Sequence, residues 1–259
     1  MIKEQFPILE YDDVSRPVVT AKKYLPPFIT ETITDRCLIT YFSDVVERYE
    51  RIFKVNQVFK IRTEGVRPRV YLYQEENQKP IYVVPMPLGA PQAARVLEAL
   101  YAIGVNKFMV CGGAGTLDDS ITKDNTLIPI SAVRDEGTSY HYLPPSREVE
   151  LNPKVLAVIE KTLIREKAPY AKVKTWTTDG IFRETADRVL LRKSEGCGVV
   201  EMECSAFYAV AKHLGLTLGQ LLYAGDIVET DQWSYRDWHE KIDQREKTFE
   251  LAVKCLLEL

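Results

Sequence analysis

Short apolar runs alternate with amphipathic stretches along most of this chain, and the alternation predicts an α/β domain. Cys37 to Tyr41, Lys107 to Cys111 and Leu216 to Tyr223 have the composition of buried strands. Asn152-Pro153 supplies a capping side chain and a first-turn proline, so a helix is expected to begin there. Strands and helices of this length, in alternation, are typical of a sheet covered by helices.

Two further segments carry weaker patterns. Ser234-Tyr235-Arg236-Asp237 resembles a capping box and predicts the start of a last helix. The apolar residues of that helix keep helical spacing: Trp238, Ile242, Phe249, Val253 and Leu257. The stretch from Arg134 to Glu150 is rich in proline, tyrosine and charge, and it predicts one long surface loop.

Composition and charge narrow the classes of function. The chain has 259 residues, of which 46% are hydrophobic and 27% charged, as in an ordinary globular protein. A net charge of −3 argues against nucleic acid or an anionic membrane as the main partner. Five cysteines without a C-x-x-C pair, three scattered histidines and a start unlike a signal peptide predict a cytoplasmic protein with reduced thiols and no metal site.

The segment Gly198 to Ala206 places two carboxylates at the end of an apolar run. In a strand, Glu201 and Glu203 point the same way, at the edge where α/β proteins collect ligand-binding groups. A site that holds two like charges suits a ligand with many donors, such as the hydroxyls of a sugar. Two solvated surface glutamates explain the segment equally well.

Four blocks, in order, carry a resemblance to a known family. They are Val200-Glu201-Met202-Glu203, Pro87 to Ala94, Cys111 to Leu117 and Tyr223 to Val228. Together they resemble the nucleoside phosphorylase and nucleosidase superfamily, which includes purine nucleoside phosphorylase, uridine phosphorylase and methylthioadenosine nucleosidase. The resemblance implies a three-layer α/β/α fold with a central twisted mixed sheet over residues 37–259. Residues 1–36 are then an N-terminal extension, packed on the domain or on a neighbouring subunit of a dimer or hexamer.

The resemblance also implies roles for single residues. Glu203 would bind the ribose hydroxyls, Met202 would pack on the sugar, and Asp226 would be the catalytic residue that stabilises the departing base. The implied base-binding residues are Glu201, Phe182, Ile181 and Thr178. The implied nucleophile or phosphate side comprises Gly89, Gly112, Gly113, Ala114 and Arg62. Read without the family, the glycines are a tight turn, Asp226 closes a strand, and Phe182 is a core residue.

Phosphate is the point at which this chain departs from the family pattern. Thr40 to Val45 has neither the glycine nor the arginine of the G-D-P-x-R turn found in family phosphorylases, and Val110 replaces a second arginine. A dianion normally needs such donors, and Arg62, Arg67 or Arg69 are the candidates to supply them. Nucleosidases use water instead, and Asp44 or Glu47 lies near the place of their activating glutamate.

The expected function is therefore phosphorolysis of a purine nucleoside in purine salvage, with nucleoside and inorganic phosphate as ligands and no cofactor. Asp226 favours a purine, because the uridine branch of the family has an apolar residue at its position. Hydrolysis by water and a non-catalytic nucleoside-binding relative stay open as alternatives.

Overall fold

A computed structural model of the protein describes residues 3–12, 15–29, 32–122, 125–228, 233–235 and 242–259. The strands are β1 Arg36–Thr40, β2 Val55–Lys60, β3 Arg69–Tyr73, β4 Ile81–Pro85, β5 Lys107–Thr116, β6 Thr126–Asp135, β7 Glu148–Glu150, β8 Tyr170–Thr178, β9 Cys197–Glu201, β10 Thr217–Val228 and β11 Trp233–Ser234. The α-helices are α1 Ser43–Arg51, α2 Ala90–Tyr101, α3 Asp119–Thr122, α4 Pro153–Arg165, α5 Ala186–Ser194, α6 Cys204–Leu214 and α7 Ile242–Glu258.

All these strands belong to one mixed sheet in the order β11-β10-β6-β8-β9-β5-β1-β4-β3-β2, with β7 paired to β6. Strand β10 pairs with β5 in parallel and with β6 in antiparallel orientation. Strand β6 also pairs with β8, β8 with β9, and β9 with β5, so these five strands form a closed ring. The ring brings the ends of β5, β9 and β10 close together.

Helices cover the sheet in two groups. Helix α2 packs on α6, whereas α7 packs on β1, β5 and β10 and is itself covered by α1 and α4. The central strands are buried along their length, as β1 and β9 show, because both faces of the sheet meet helices. The expected α/β class with a central mixed sheet between helical layers is confirmed.

Local signals set several helix ends as expected. The Asn152 side chain accepts a hydrogen bond from the Lys154 amide at 2.9 Å, and Pro153 is the first residue of α4. Gly89 precedes α2 with φ of 113°, a conformation that side chains other than glycine rarely adopt. The backbone at Gly89 is therefore fixed by its residue type.

Two sequence-based expectations need correction. Arg134 to Glu150 is not one surface loop, because Arg134 is a buried residue of β6 and the segment ends in β7. The Arg134 guanidinium donates to the Ser139 hydroxyl and the Pro144 carbonyl, and these hydrogen bonds stabilise its buried charge. Ser234 lies in β11, where it pairs with Ile227. Residues 236–241, in which the expected last helix would begin, lie outside the described residues.

The N-terminal part contributes two short 3₁₀ helices, Pro7–Leu9 and Ala21–Tyr24. Leu25 is buried in the core, and the Tyr24 carbonyl accepts a hydrogen bond from the Arg62 amide at 2.7 Å. That residues 1–36 form a separate extension stays a prediction. Among the described helices, none has the length and apolarity needed to cross a membrane.

Candidate active site

A cavity of about 820 Å³ opens where β1, β4, β5, β9 and β10 end. Its lining comprises Tyr41, Phe42, Met86, Pro87, Leu88, Gly113, Ala114, Gly115, Ile181, Phe182, Glu184, Val200, Glu201, Met202, Glu203, Tyr223, Gly225, Asp226, Val228, Trp233 and Arg245. Most of this lining is apolar or aromatic. Four carboxylates and one guanidinium are the charged groups of the described lining, so the cavity suits a small organic ligand with a few polar groups.

Glu201 fixes the geometry of the cavity floor. Its Oε2 accepts the backbone N–H groups of Glu203 at 2.7 Å and Cys204 at 2.6 Å, at the start of α6. Its Oε1 accepts the hydroxyls of Thr177 at 2.6 Å and Thr175 at 3.2 Å, on β8. One carboxylate thus satisfies amide donors at a helix start and ties that helix to two strands.

Glu203 is held differently. Its Oε1 accepts one backbone hydrogen bond, from Gly89 N–H at 2.5 Å, and its side chain borders the cavity. Only 4% of the residue is exposed. Because a carboxylate can accept about four hydrogen bonds, Glu203 has capacity left for donors on a ligand.

The two glutamates differ in where a proton resides. Burial raises the pKa of Glu203, and the neighbouring charge of Glu201 raises it further, to about 8. Burial also raises the pKa of Glu201, while its hydroxyl and amide donors lower it. Since four donors favour the ionised form of Glu201, Glu203 is the member of the pair that takes up a proton near neutral pH.

A second acidic pair lines the cavity elsewhere. Asp226 lies near the end of β10, where its Oδ2 accepts the Trp233 indole N–H at 2.6 Å. A Cβ on Gly115 would lie 3.3 Å from Asp226 Oδ1, so the glycine leaves room for this carboxylate. Glu184 follows the 3₁₀ turn Ile181–Arg183, and burial and the Asp226 charge raise its pKa to about 7.

One cation lines the cavity among the described residues, and it comes from α7. Arg245 lies over the Phe42 ring at 5.3 Å from its centroid, and its Nη2 lies 2.6 Å from Asp44 Oδ1. Its Nε is buried and has no hydrogen-bond partner among the described residues. The Tyr41 hydroxyl is also buried, and it lies within hydrogen-bonding reach of Glu203. Burial raises the pKa of Tyr41, and the Glu203 charge raises it further.

The structure brings eight of the expected site residues to this cavity: Glu201, Met202, Glu203, Asp226, Ile181, Phe182, Gly113 and Ala114. Phe182 is 93% exposed at the surface, so it is not a core residue. The other four do not line the cavity. Gly89 lies behind the lining, where its N–H donates to the Glu203 carboxylate, and Gly112 packs against the Tyr41 ring.

The remaining two lie apart from the lining. Thr178 is buried at the end of β8, where its hydroxyl accepts the Gly180 N–H at 3.1 Å. Arg62 is exposed beyond β2. A phosphate contact from Arg62 within the same subunit therefore has no support in the position of this side chain.

The family assignment follows from residues 36–258, which match the family model described as the phosphorylase superfamily. The chain belongs to the phosphorylase superfamily. This match covers all the strands and helices that build the cavity. The resemblance inferred from four short blocks is confirmed.

Individual relatives are distant. The chain is 28% identical to a uridine phosphorylase of Haemophilus influenzae over 171 residues, which cover 60% of this chain and 67% of that protein. It is 25% identical to a guanosine phosphorylase of Halorubrum lacusprofundi over 173 residues, which cover 66% and 71%. Its fold is similar to that of AMP nucleosidase from Bacteroides thetaiotaomicron, with a TM-score of 0.70, 20% identity and coverage of 91% and 94%.

Sequence reasoning missed four polar residues of the lining: Tyr41, Glu184, Trp233 and Arg245. Glu184 lies two residues after Phe182, just beyond the residues expected to bind the base. Tyr41 directly follows the buried strand β1, which is a usable signal. Arg245 lies on the last helix, and its arrival at the cavity depends on how α7 packs.

Neutralisation should destabilise the protein much more at Glu201 than at Glu203. Glu201→Gln places an amide NH₂ against two backbone donors, and it should lower the free energy of unfolding by roughly 2 kcal/mol or more. Glu203→Gln keeps an acceptor for Gly89 and resembles the neutral form of Glu203 that prevails at pH 7, so it should cost under about 0.5 kcal/mol. Urea denaturation of both variants at pH 7 measures the difference.

The pH dependence gives this comparison a second readout. Because the folded-state pKa of Glu203 is raised from 4.5 to about 8, its contribution to stability is fully present below pH 4.5 and is lost progressively as pH rises from there through about 8. Glu203→Gln should lack this loss between about pH 5 and 8. A larger destabilisation by Glu203→Gln than by Glu201→Gln would contradict the assigned roles.

Proposed function

We propose that this protein cleaves the N-glycosidic bond of a purine nucleoside by phosphorolysis, releasing the free base and ribose 1-phosphate. The observation that carries the proposal is the set of polar groups that line one cavity. A buried glutamate with spare acceptor capacity lies beside a tyrosine hydroxyl, and a guanidinium and a second acidic pair line the same cavity. These groups match a sugar, an anionic nucleophile and a nitrogenous base.

Glu203 binds the sugar in this proposal. As a carboxylate it accepts the 2′- and 3′-hydroxyls, and these donors favour its ionised form. Its backbone anchor at Gly89 keeps the carboxylate in place. Met202 borders the same part of the cavity and packs on the ribose. The hydroxyls are held before the bond opens, so their orientation requires no further loss of freedom.

Arg245 binds the attacking phosphate. It is the basic side chain of the described lining, and its buried Nε lacks an acceptor. The Tyr41 hydroxyl next to Glu203 offers a second donor, and the backbone at Gly113 and Ala114 lines the same cavity. A guanidinium is suited to phosphate because its N–H groups form paired, charge-assisted hydrogen bonds.

The bond then opens through an oxocarbenium-like state. The electron pair of the C1′–N9 bond passes into the purine ring, and a phosphate oxygen forms the new bond to C1′. The charge that develops on the ring is neutralised at the acidic pair that contains Asp226. Phe182 and Ile181 supply apolar surface against which a flat base can stack.

Hydrolysis is the second candidate, because a single guanidinium lines the described cavity and Val110 is fully buried in the sheet. The two carboxylates considered for activating water do not support it. Asp44 is paired with Arg245, and Glu47 is exposed on α1, away from the cavity lining. Neither carboxylate is therefore placed to take a proton from water at C1′.

Product analysis separates these functions. Purified protein should release base from adenosine or inosine, yield ribose 1-phosphate, and show a rate that saturates with phosphate. Free ribose at a rate indifferent to phosphate would reject phosphorolysis in favour of hydrolysis. No product, with thermal stabilisation by a nucleoside, would identify a binding protein. Uridine cleaved faster than either purine nucleoside would contradict the assignment of the base.

Substitutions at Arg245 and Arg62 test which arginine binds phosphate. Arg245→Ala removes a charge-assisted contact worth roughly 1.5–3 kcal/mol, so the KM for phosphate should rise about tenfold or more. Arg245→Lys keeps the positive charge but lacks the planar, paired N–H groups, so its KM for phosphate should lie between those of the wild type and Arg245→Ala. The matched control is Arg62→Ala, which should leave the KM for phosphate unchanged in the intact assembly. A larger effect of Arg62→Ala would move the phosphate site to Arg62, supplied by a neighbouring subunit.

A further inference from the structure

Glu184 is the partner of Asp226 in the second acidic pair of the cavity. Glu184 and Asp226 line the same cavity, and the charge of Asp226 acts on Glu184. No hydrogen-bond donor from the described residues reaches the Glu184 carboxylate, and Glu184 is half-buried. An ionised Glu184 is therefore poorly stabilised next to a second carboxylate.

Trp233 fixes Asp226 as an acceptor within the pair. An indole N–H can only donate, so Asp226 Oδ2 is an acceptor in the 2.6 Å hydrogen bond. Asp226 is thereby held as an acceptor, with Oδ1 above Gly115, and Glu184, which no donor of the described residues reaches, is the carboxyl left to donate.

We propose that Glu184 donates the proton that the departing base receives, and that Asp226 beside it accepts a hydrogen bond from the same edge of that base. A donor next to an acceptor matches adenine, whose N7 accepts and whose N6 amino group donates. A 6-oxopurine offers two acceptors on that edge and would need both carboxyls protonated. The pair therefore selects 6-aminopurine nucleosides over 6-oxopurine nucleosides, and this inference rests on the proposed function.

The proton balance of the step is simple. As the C1′–N9 electron pair enters the ring, the Glu184 carboxyl proton passes to N7, and a neutral base with a Glu184 carboxylate remains. Solvent restores the proton before the next turnover. The pKa of Glu184, raised to about 7 by burial and by Asp226, is suited to such exchange near neutral pH. The other charged groups of the described lining are Glu201, Glu203 and Arg245.

Equilibrium binding of free bases tests the pair without turnover. Calorimetry with adenine and hypoxanthine should show adenine bound roughly tenfold more tightly by the wild type at pH 7. Adenine affinity should fall as pH rises above about 7, by up to tenfold per pH unit, because the bound pair needs one proton. Glu184→Gln carries a permanent donor, so its adenine affinity should be level between pH 6 and 9.

Three further variants complete the test. Glu184→Ala should lose the discrimination between the bases, whereas Glu150→Gln, on an exposed residue of β7, should bind both bases as the wild type does. In turnover, Glu184→Gln should lower kcat for adenosine by roughly 10²–10⁴, because an amide cannot transfer the proton. Asp226→Asn should weaken the preference for adenine, since its amide replaces an acceptor by a donor.

Equal affinities of the wild type for the two bases, or no binding of either, would overturn the inference. A pH dependence that persists unchanged in Glu184→Gln would also overturn it. Selective binding of adenine by a protein that releases no base from any nucleoside would reject the proposed function and leave the base-selecting pair intact. The two failures are therefore distinguishable.

Discussion

A single buried carboxylate, that of Glu201, organises the region on which the cavity depends. Its four hydrogen bonds join the hydroxyls of two threonines on β8 to the first amides of α6. A helix start leaves backbone donors without intrahelical partners, and burial makes such donors costly unless something accepts from them. By meeting that need, Glu201 determines where α6 begins, and it therefore determines where Met202 and Glu203 project.

Two glutamates that are only two residues apart in sequence therefore have different roles. Glu201 uses its acceptor capacity within the protein, whereas Glu203 is tied by one amide and borders the cavity. Their unequal hydrogen bonding is what separates their proton affinities, because both are buried in the same surroundings. Asp226 and Glu184 also differ in hydrogen bonding, because Asp226 accepts the Trp233 indole N–H whereas burial and the Asp226 charge raise the pKa of Glu184.

The local blocks of the chain predicted the sheet ends well, because strand, turn and helix start lie within a few residues of each other. Val200 to Glu203 is such a case: alternation of side chains brought both glutamates to the strand end, and both line the cavity. What the alternation could not reveal is that Glu201 turns into the backbone of α6. That depends on threonines more than twenty residues earlier, which β8–β9 pairing brings alongside.

Other features lay beyond sequence reasoning for a similar reason. Arg245 reaches the cavity because α7 packs on β1, β5 and β10, so its position depends on contacts distant in the chain. The stretch that begins at Arg134 has the composition of a loop, yet the Arg134 guanidinium is buried. It donates hydrogen bonds to a hydroxyl and to two carbonyls of the same stretch. Charge in a sequence indicates exposure only where no such internal partners exist.

The central claim is that Glu203 holds the sugar of a nucleoside while the glycosidic bond opens. The most direct measurement compares kcat/KM of the wild type for a ribonucleoside and for its 2′,3′-dideoxy analogue, under identical phosphate. Loss of both hydroxyl contacts to a buried carboxylate should lower kcat/KM by roughly a hundredfold or more, since each such contact is worth about 1.5–3 kcal/mol. In Glu203→Ala the two substrates should become nearly equal. Equal kcat/KM values for the two substrates in the wild type would contradict the account.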